Sequence, residues 1–169
     1  MTYHLRSATA DDLPLLQAVA KAMGTPDGRD DFPRCLAAHV AGERMIFLAV
    51  DDAGRALGYV QLNFTPVYQP FKRLGIAEVQ DLNVIPAARQ QGIGAALVEL
   101  CENTVRARGG SEIGISVGLV PSFGAAQRLY TARGYRPDGA GLCYDDVPVR
   151  VGSMVAADDL LTLKLVKTL

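Results

Sequence analysis

One stretch of the chain predicts a strand, a glycine-containing loop and a long helix in direct succession. Residues 76–85 are rich in β-branched and apolar side chains and end at Pro86, which cannot continue a hydrogen-bonded ladder. From Ile93 onward, apolar residues recur at the three-and-four spacing of one helical face until Gly109. The loop between the two patterns is Arg89-Gln90-Gln91-Gly92-Ile93-Gly94. We therefore expect a strand followed closely by a helix that begins within this loop.

The loop has the properties of a phosphate-binding turn. The first four N–H groups of a helix have no partner within it and lie at the positive end of its dipole, so they attract an anion. Gly92 and Gly94 have no Cβ and let a ligand approach the backbone. A dinucleotide-binding fingerprint is disfavoured because its third glycine position holds Leu97. The Walker A sequence does not occur, and a tight turn without a ligand is the alternative.

The loop resembles the acyl-CoA pyrophosphate loop of the GNAT superfamily of N-acetyltransferases, where Arg or Gln, two residues, Gly, one residue and Gly or Ala follow one another. The preceding strand ends in Leu82-Asn83-Val84-Ile85-Pro86, similar to the family's L-x-V-x-P. Residues 126–135, A-Q-R-L-Y-T-A-R-G-Y, match the family's A-x-x-L-Y-x-x-x-G-F/Y on a later helix. The resemblance covers nearly the whole chain and is strongest over residues 76–136.

The resemblance implies an enzyme that uses acetyl-CoA to acetylate a primary amine of a small molecule or protein, by direct attack in a ternary complex. A non-catalytic module that binds or senses acyl-CoA is the alternative. Phe123 departs from the family, which commonly has Asn there contacting the pantetheine arm. The implied cofactor-binding residues are Leu82, Val84, Arg89, Gln90, Gln91, Gly92, Ile93, Gly94, Ala95, Phe123, Ala126 and Tyr130.

Two side chains are the candidate catalytic groups. Tyr130 matches the family's Tyr that points at the thioester sulfur, which implies protonation of, or a hydrogen bond to, the departing thiolate. Glu78 lies eleven residues before Arg89, where histone-type members carry their catalytic Glu. Because a free carboxylate and an alkyl ammonium differ by about six pKa units, a carboxylate acts as base only with burial or a water relay. Asp81 is the second candidate base, and simple alternation puts it on the opposite face from Glu78 and Gln80.

A backbone N–H near Val84 is the candidate for stabilising the oxyanion. The acceptor is not predicted by any pattern. Asp27, Asp30 and Asp31 lie in a loop that borders the acceptor pocket in this family, and carboxylates there favour a cationic amine. A solvated acidic loop is the alternative. Asp145 and Asp146 are interpreted as turn residues.

The predicted element order is β-α-α-β-β-β-α-β-α-β-β. It matches the GNAT fold, an α/β (α+β) architecture with a mixed, mostly antiparallel central sheet of about seven strands, flanked by helices and splayed between strands 4 and 5. A length of 169 residues predicts one domain, 1–169. The other expected strands are 3–8, 45–50, 56–64, 112–119 and 159–166, the other helices follow Thr9, Pro33 and Phe123, and 139–158 is expected to be a strand and a long loop.

Composition and charge exclude several classes of partner. A net charge of −1 and a pI near 6.1 give no electrostatic footprint for nucleic acid or an anionic membrane. No apolar run reaches membrane-spanning length and the first residues lack the apolar core of a signal peptide, so we expect a cytoplasmic location. Cys35, Cys101 and Cys143 are far apart, which predicts neither a metal site nor disulfides. Dimerisation is common in the family, so a homodimer is a weak expectation.

Overall fold

The computed structural model describes residues 2–24 and 31–169. Within these ranges the chain forms five α-helices and eight strands. The helices are α1 Leu13–Met23, α2 Phe32–Val40, α3 Gln69–Leu74, α4 Ile93–Ala107 and α5 Gly124–Ala132. The strands are β1 Tyr3–Ser7, β2 Arg44–Asp51, β3 Ala56–Asn63, β4 Ala77–Val84, β5 Glu112–Gly118, β6 Arg136–Tyr144, β7 Val147–Pro148 and β8 Leu161–Thr168.

The chain groups into two compact units. The first comprises the described parts of Met1–Phe64 together with Val79–Thr104, and the second comprises Thr65–Glu78 and Val105–Leu169. Strand β4 therefore contributes its first two residues to the second unit and the rest to the first. The single domain expected from the length stays a prediction.

The first unit contains strands in the order β1-β2-β3-β4. The β1–β2 and β2–β3 pairs are antiparallel, with Tyr3 opposite Asp51 and Arg44 opposite Asn63. Residues directly opposite each other share a face of a sheet, so one face of β2 and β3 presents an apolar surface to α1 and α2. The buried core of this unit comprises Ala8, Leu16, Val19, Phe32, Leu36, Ile46, Leu48, Val50, Ala56 and Tyr59.

Local sequence signals set the ends of the first two helices. The Thr9 backbone N–H donates to the Asp12 carboxylate at 2.7 Å, as part of a capping box just before α1. Gly24 ends α1 with φ 72°, a left-handed conformation that suits glycine. Asp31 accepts a hydrogen bond from the Arg34 N–H at 3.2 Å and caps α2. Asp27 and Asp30 lie outside the described residues, so their predicted role at the acceptor pocket stays a prediction.

The second unit contains strands in the order β5-β8-β6-β7. Strand β8 is antiparallel to both neighbours, with Glu112 opposite Thr168 in β5 and Tyr144 opposite Leu161 in β6. Asp145 and Asp146 form the two-residue turn between β6 and β7, with φ values of 49° and 61°. Both residues are left-handed, as a two-residue hairpin turn requires. The interpretation of this pair as turn residues is confirmed.

The α/β class and the mostly antiparallel strand pairing are confirmed. Three details differ from the prediction. Helix α3 lies in a segment with no expected structure, β6 begins at Arg136 rather than after Gly139, and the closing strand is Leu161–Thr168. The short β7 brings the number of strands in the described residues to eight instead of about seven. The predicted splay between strands 4 and 5 stays a prediction.

Candidate active site

The predicted phosphate-binding loop joins β4 to α4 in the first unit. A single turn of 3₁₀-helix, Pro86–Ala88, follows the strand, and α4 begins at Ile93. Gln90 and Gly92 have left-handed φ values of 62° and 79°. Among the described residues, no atom other than those of Gly92 and its chain neighbours lies within 4 Å of the place where a Cβ of Gly92 would stand. Gly92 is therefore required for its backbone conformation, and the space beside it is open to a ligand.

The Arg89 side chain connects the loop to the end of β4. Its Nε donates to the Val84 carbonyl at 3.1 Å, and one terminal nitrogen lies 3.5 Å from the Met23 sulfur. Gly58 allows β3 to approach the same point, since a Cβ there would lie 2.5 Å from the Asn83 carbonyl oxygen. The conformation of the β4 end and of the loop is thus set by the Arg89 side chain and by the close approach of β3 at Gly58.

The other predicted cofactor-binding residues of this unit differ in exposure. Gln90 and Gln91 are exposed, and Leu82, Val84, Gly94 and Ala95 are half-buried. Ile93 is buried with Leu97 and Cys101, so its side chain anchors α4 in the core. The Ala96 N–H donates to the Gly92 carbonyl at 3.0 Å and closes the first helical turn. Ile93 can therefore meet a cofactor only through its backbone.

Tyr130 lies on α5 in the second unit and is 5% exposed. Its ring centroid is 6.0 Å from that of Tyr135, and the Lys167 ammonium lies 5.6 Å from the Tyr135 centroid. Gly134 has φ 88°, which ends the helix and lets the Tyr135 N–H donate to the Tyr130 carbonyl at 3.0 Å. The glycine and last tyrosine of the sequence motif therefore fix the position of Tyr130.

Phe123 packs on the end of β5 in the second unit. A Cβ added to Gly118 would lie 2.4 Å from the Phe123 ring, so the ring lies directly on the glycine. The Gln127 amide donates to the Gly118 carbonyl at 2.8 Å. Ala126, like Gln127, lies on α5, and it is half-buried. Where the family commonly has Asn, this chain thus has an aromatic ring that contacts the adjoining strand.

Glu78 forms a buried ion pair in the second unit. The Lys164 ammonium donates to Glu78 Oε1 at 2.7 Å, and the Ser116 hydroxyl donates to the same oxygen at 2.9 Å. The side chains of Glu78 and Lys164 are each 1% exposed. Lys164 also donates to Asp146 Oδ1 at 2.5 Å. The carboxylate is thus an internal counterion and not a solvated strand residue.

Lys164 is a site residue that the sequence analysis missed. Burial disfavours its ammonium, but the adjacent carboxylates of Glu78 and Asp146 outweigh burial, so its pKa lies above the usual value. The ammonium also lies 4.9 Å from the ring centroid of Tyr68, whose hydroxyl donates to Asp138 at 2.7 Å. Burial and this hydrogen bond raise the pKa of Tyr68. A lysine within the apolar run Leu163–Val166 was the available signal.

Asp81 lies in the part of β4 that belongs to the first unit. Its φ is 50°, and its Oδ2 accepts a hydrogen bond from the Gln61 amide at 2.7 Å. The adjacent Gln80 accepts from Asn63 at 3.3 Å. Gln61 and Asn63 are two residues apart on β3 and share one face. The alternation used to separate Asp81 from Gln80 is therefore wrong, because the left-handed φ turns both side chains to the same face.

The chain is similar in sequence to known acetyltransferases. Residues 14–135 match the acetyltransferase (GNAT) family. The aminoglycoside N(6')-acetyltransferase type 1 of Klebsiella aerogenes is 30% identical over 109 residues, 62% of this chain and 72% of that relative. The chain belongs to the GNAT family of acetyltransferases. The prediction of an acetyl-CoA-dependent N-acetyltransferase is confirmed, and nothing in these matches favours the non-catalytic module.

Solved structures support the predicted GNAT fold. The PaiA N-acetyltransferase of Thermoplasma acidophilum, in complex with coenzyme A, has a TM-score of 0.71 at 15% identity and covers 100% of both chains. The ribosomal-protein-alanine N-acetyltransferase of Brucella melitensis has a TM-score of 0.72 at 20% identity and covers 98% of this chain and 99% of its own.

Among the described residues, no helix is long and apolar enough to cross a membrane.

Proposed function

We propose that the protein acetylates a primary amine of a small molecule and that the loop from Arg89 to Gly94 holds the pyrophosphate of acetyl-CoA. The observation that carries the proposal is the left-handed pair Gln90 and Gly92 immediately before the N-terminus of α4. This backbone directs N–H groups toward an exposed surface where an anion is favoured. The similarity to an enzyme named for aminoglycosides supports a small-molecule acceptor over a peptide.

The predicted cofactor-binding residues are proposed to bind acetyl-CoA. Bound acetyl-CoA supplies an acetyl group activated as a thioester. The backbone at Leu82 and Val84 would bind its arm, and residues 89–95 would bind its phosphates. The other proposed binding residues are Phe123, which precedes α5, and Ala126 and Tyr130 on α5. The exposed Gln90 and Gln91 side chains support a phosphate-binding role because both can donate hydrogen bonds.

Tyr130 is proposed to donate a hydrogen bond or a proton to the departing thiolate. A free phenol has a pKa near 10 and a free thiol near 8.5, so full proton transfer is uphill by about 2 kcal/mol. A hydrogen bond to the developing charge avoids that cost and still favours the transition state. The burial of Tyr130 supports this role, since the electrostatic interaction is stronger away from water.

Glu78 is proposed as the base, acting through water. Its side chain is 1% exposed, which means that a proton from the acceptor must be relayed to it. Lys164 and Ser116 hold its carboxylate in a fixed position. Such fixed geometry favours relay of a proton along a constant path.

The first experiment measures thiol release from acetyl-CoA with aminoglycosides, polyamines, amino acids, arylamines and N-terminal peptides. Binding of acetyl-CoA is followed in parallel by thermal shift. We expect release with a small-molecule amine. Release with peptides alone would contradict the proposed acceptor class, and binding without any release would contradict the proposed reaction.

Gly94→Glu tests the loop. The substitution adds bulk and negative charge beside the proposed pyrophosphate site, so we expect acetyl-CoA affinity to fall at least 100-fold, about 2.7 kcal/mol. Calorimetry with coenzyme A gives the dissociation constant. Ala107→Glu adds the same negative charge at the exposed C-terminal end of α4, outside the loop, and serves as the control. Unchanged affinity in a folded Gly94→Glu protein would contradict the assignment.

Tyr130→Phe tests the proposed role of the Tyr130 hydroxyl. It removes one hydroxyl and keeps the ring, so we expect kcat to fall about 10- to 100-fold while the affinity for acetyl-CoA stays within a factor of two. Tyr135→Phe is the matched control on the neighbouring ring. Equal turnover in wild type and Tyr130→Phe would dismiss the proposed role.

Cellular location, assembly and domain number are also proposed from the sequence. A cytoplasmic location is proposed, and cell fractionation tests it. A homodimer follows from the family resemblance, and light scattering of the purified protein tests it. Limited proteolysis tests the single domain, because stable fragments would contradict it.

A further inference from the structure

We propose that Asp146 is a positioning residue for the reaction: it is the counterion that compensates the buried Lys164 ammonium while Glu78 carries the proton taken from the acceptor. The inference rests on the proposed role of Glu78 as the base. It gives a residue of the turn between β6 and β7 a task that it performs only through Lys164. All the contacts that carry it lie within the second unit.

The Lys164 ammonium is shared between two carboxylates. It donates to Glu78 Oε1 at 2.7 Å and to Asp146 Oδ1 at 2.5 Å. The side chains of Lys164 and Glu78 are each 1% exposed, whereas that of Asp146 is 35% exposed. The ammonium thus has one buried partner and one partner that reaches water.

Other polar groups near Lys164 come from β6 and from the residue before α3. The Tyr68 ring centroid lies 4.9 Å from the ammonium, and the Tyr68 hydroxyl donates to Asp138 at 2.7 Å. Asp138 also accepts the Ala140 N–H at 2.9 Å, so its carboxylate is directed at other donors. Burial raises the pKa of Tyr68 and of the Cys143 thiol, which keeps both groups neutral at neutral pH. The ammonium is therefore compensated chiefly by the two carboxylates that it contacts directly.

Proton uptake changes the charge of only one of these two partners. The N–H bond of the acceptor ammonium breaks, its electron pair stays on nitrogen, and the proton passes through water to the Glu78 carboxylate. Glu78 then becomes neutral, and Lys164 loses the charge of its buried partner. Because Asp146 still contacts the ammonium, Lys164 keeps a counterion, and the large cost of an uncompensated buried charge is avoided. Water returns the proton from Glu78 to the solvent after the acetyl group has been transferred.

Two further observations support this role of Asp146. Burial disfavours the Lys164 ammonium, but Glu78 and Asp146 together raise the pKa of Lys164, so the side chain stays charged and needs a counterion. Asp146 has a φ of 61° in the two-residue turn that Tyr144 and Val147 close by pairing. A side chain on such a tight turn loses little entropy when it binds a partner. The turn therefore presents the carboxylate to Lys164 in a constant position.

The charge argument can be tested without an acceptor, by urea denaturation at neutral pH. Glu78→Gln puts a neutral group of the same shape in place of the carboxylate and so imitates the protonated base. Asp146→Asn removes the turn carboxylate, and Asn tolerates the left-handed φ. We expect Asp146→Asn to lower the urea midpoint at least twice as much in Glu78→Gln as in wild type. Asp145→Asn removes a charge at the adjacent, exposed left-handed position and should shift both midpoints by the same amount.

The consequence for the reaction is measured as thiol release from acetyl-CoA with an amine that wild type acetylates. Asp146→Asn should lower kcat at least 10-fold, with the KM values for the amine and for acetyl-CoA within threefold of wild type. In the Glu78→Gln background the same substitution should change kcat less than threefold, because no carboxylate remains at position 78 to accept the proton. Asp145→Asn should keep kcat within threefold of wild type.

The outcomes separate this inference from the proposed function. Equal midpoint shifts in the two backgrounds, or wild-type kcat in Asp146→Asn, overturn the inference and leave the acetylation and the role of Glu78 intact. A loss of kcat that is just as large in Glu78→Gln as in wild type also overturns it, since the effect would then be structural. An Asp146→Asn protein that fails to fold does the same, because Glu78 alone should compensate Lys164 at rest. Unchanged kcat in Glu78→Gln overturns the proposed base, and the inference falls with it.

Discussion

Replacing Lys164 by Met should destabilise the protein severely. Methionine keeps the length of the aliphatic side chain but removes the ammonium that pairs with Glu78 at 2.7 Å and Asp146 at 2.5 Å. Glu78, whose side chain is 1% exposed, would then remain buried without the Lys164 ammonium. Breaking a buried ion pair by removing one partner typically costs about 3–5 kcal/mol, because the remaining charge is uncompensated.

That magnitude is large against the whole stability of a small protein, which is about 5–15 kcal/mol. The unfolding free energy is measured by urea denaturation at neutral pH, followed by circular dichroism. The double variant Glu78→Gln/Lys164→Met removes both charges, and we expect it to recover about 2 kcal/mol or more. Asp146 is 35% exposed in its side chain, so water can compensate the loss of its partner.

A pair with an exposed arginine provides the control, because the Asp51 carboxylate would keep its hydrogen bonds from the Ala53 and Arg55 N–H groups. Arg55 and Asp51 also lie 2.7 Å apart, but the Arg55 side chain is 72% exposed. We expect Arg55→Met to change the unfolding free energy by less than about 1 kcal/mol. If Lys164→Met costs no more than Arg55→Met, or if the two single substitutions at Glu78 and Lys164 add without coupling, burial does not govern this pair and the reasoning is refuted.

Two further predictions concern stability. Gly118→Ala should destabilise the protein by about 1–3 kcal/mol, because the new Cβ would lie 2.4 Å from the Phe123 ring; thermal unfolding of Gly118→Ala and Gly118→Ala/Phe123→Ala tests this, and no partial recovery in the double variant would contradict it. Asp12, whose pKa is lowered to about 2 mainly by its hydrogen bond from Arg6, should contribute stability above pH 4 that is lost as the pH falls toward 2. Asp12→Asn should flatten that part of the stability profile, and coincident acid profiles of the two proteins would refute the assignment.

The elements around the loop could be predicted because their signals are local. The β-branched run before Pro86, the helical spacing after Ile93 and the glycine pair between them all lie within a short stretch of sequence. The position of Tyr130 was likewise predictable from its motif, because Gly134 sets the helix end that places it. Such features depend on neighbours along the chain and not on the rest of the fold.

Helix α3 and Lys164 could not be predicted in the same way. Helix α3 has only six residues, and Phe71 secures it by packing on Gly114, where a Cβ would lie 2.3 Å from the ring. Lys164 is buried because Glu78, 86 residues away in sequence, supplies its counterion. Periodicity places a residue on a face of a strand but does not identify the group that meets it there.

Strand β4 carries two carboxylates in different surroundings. Glu78 is buried against an ammonium, so a second cation could bind it only by competing with Lys164. Asp81 is exposed, and the group that positions it is the neutral amide of Gln61. Sequence alternation cannot distinguish these two environments, because the difference depends on the left-handed φ of Asp81 and on the distant Lys164.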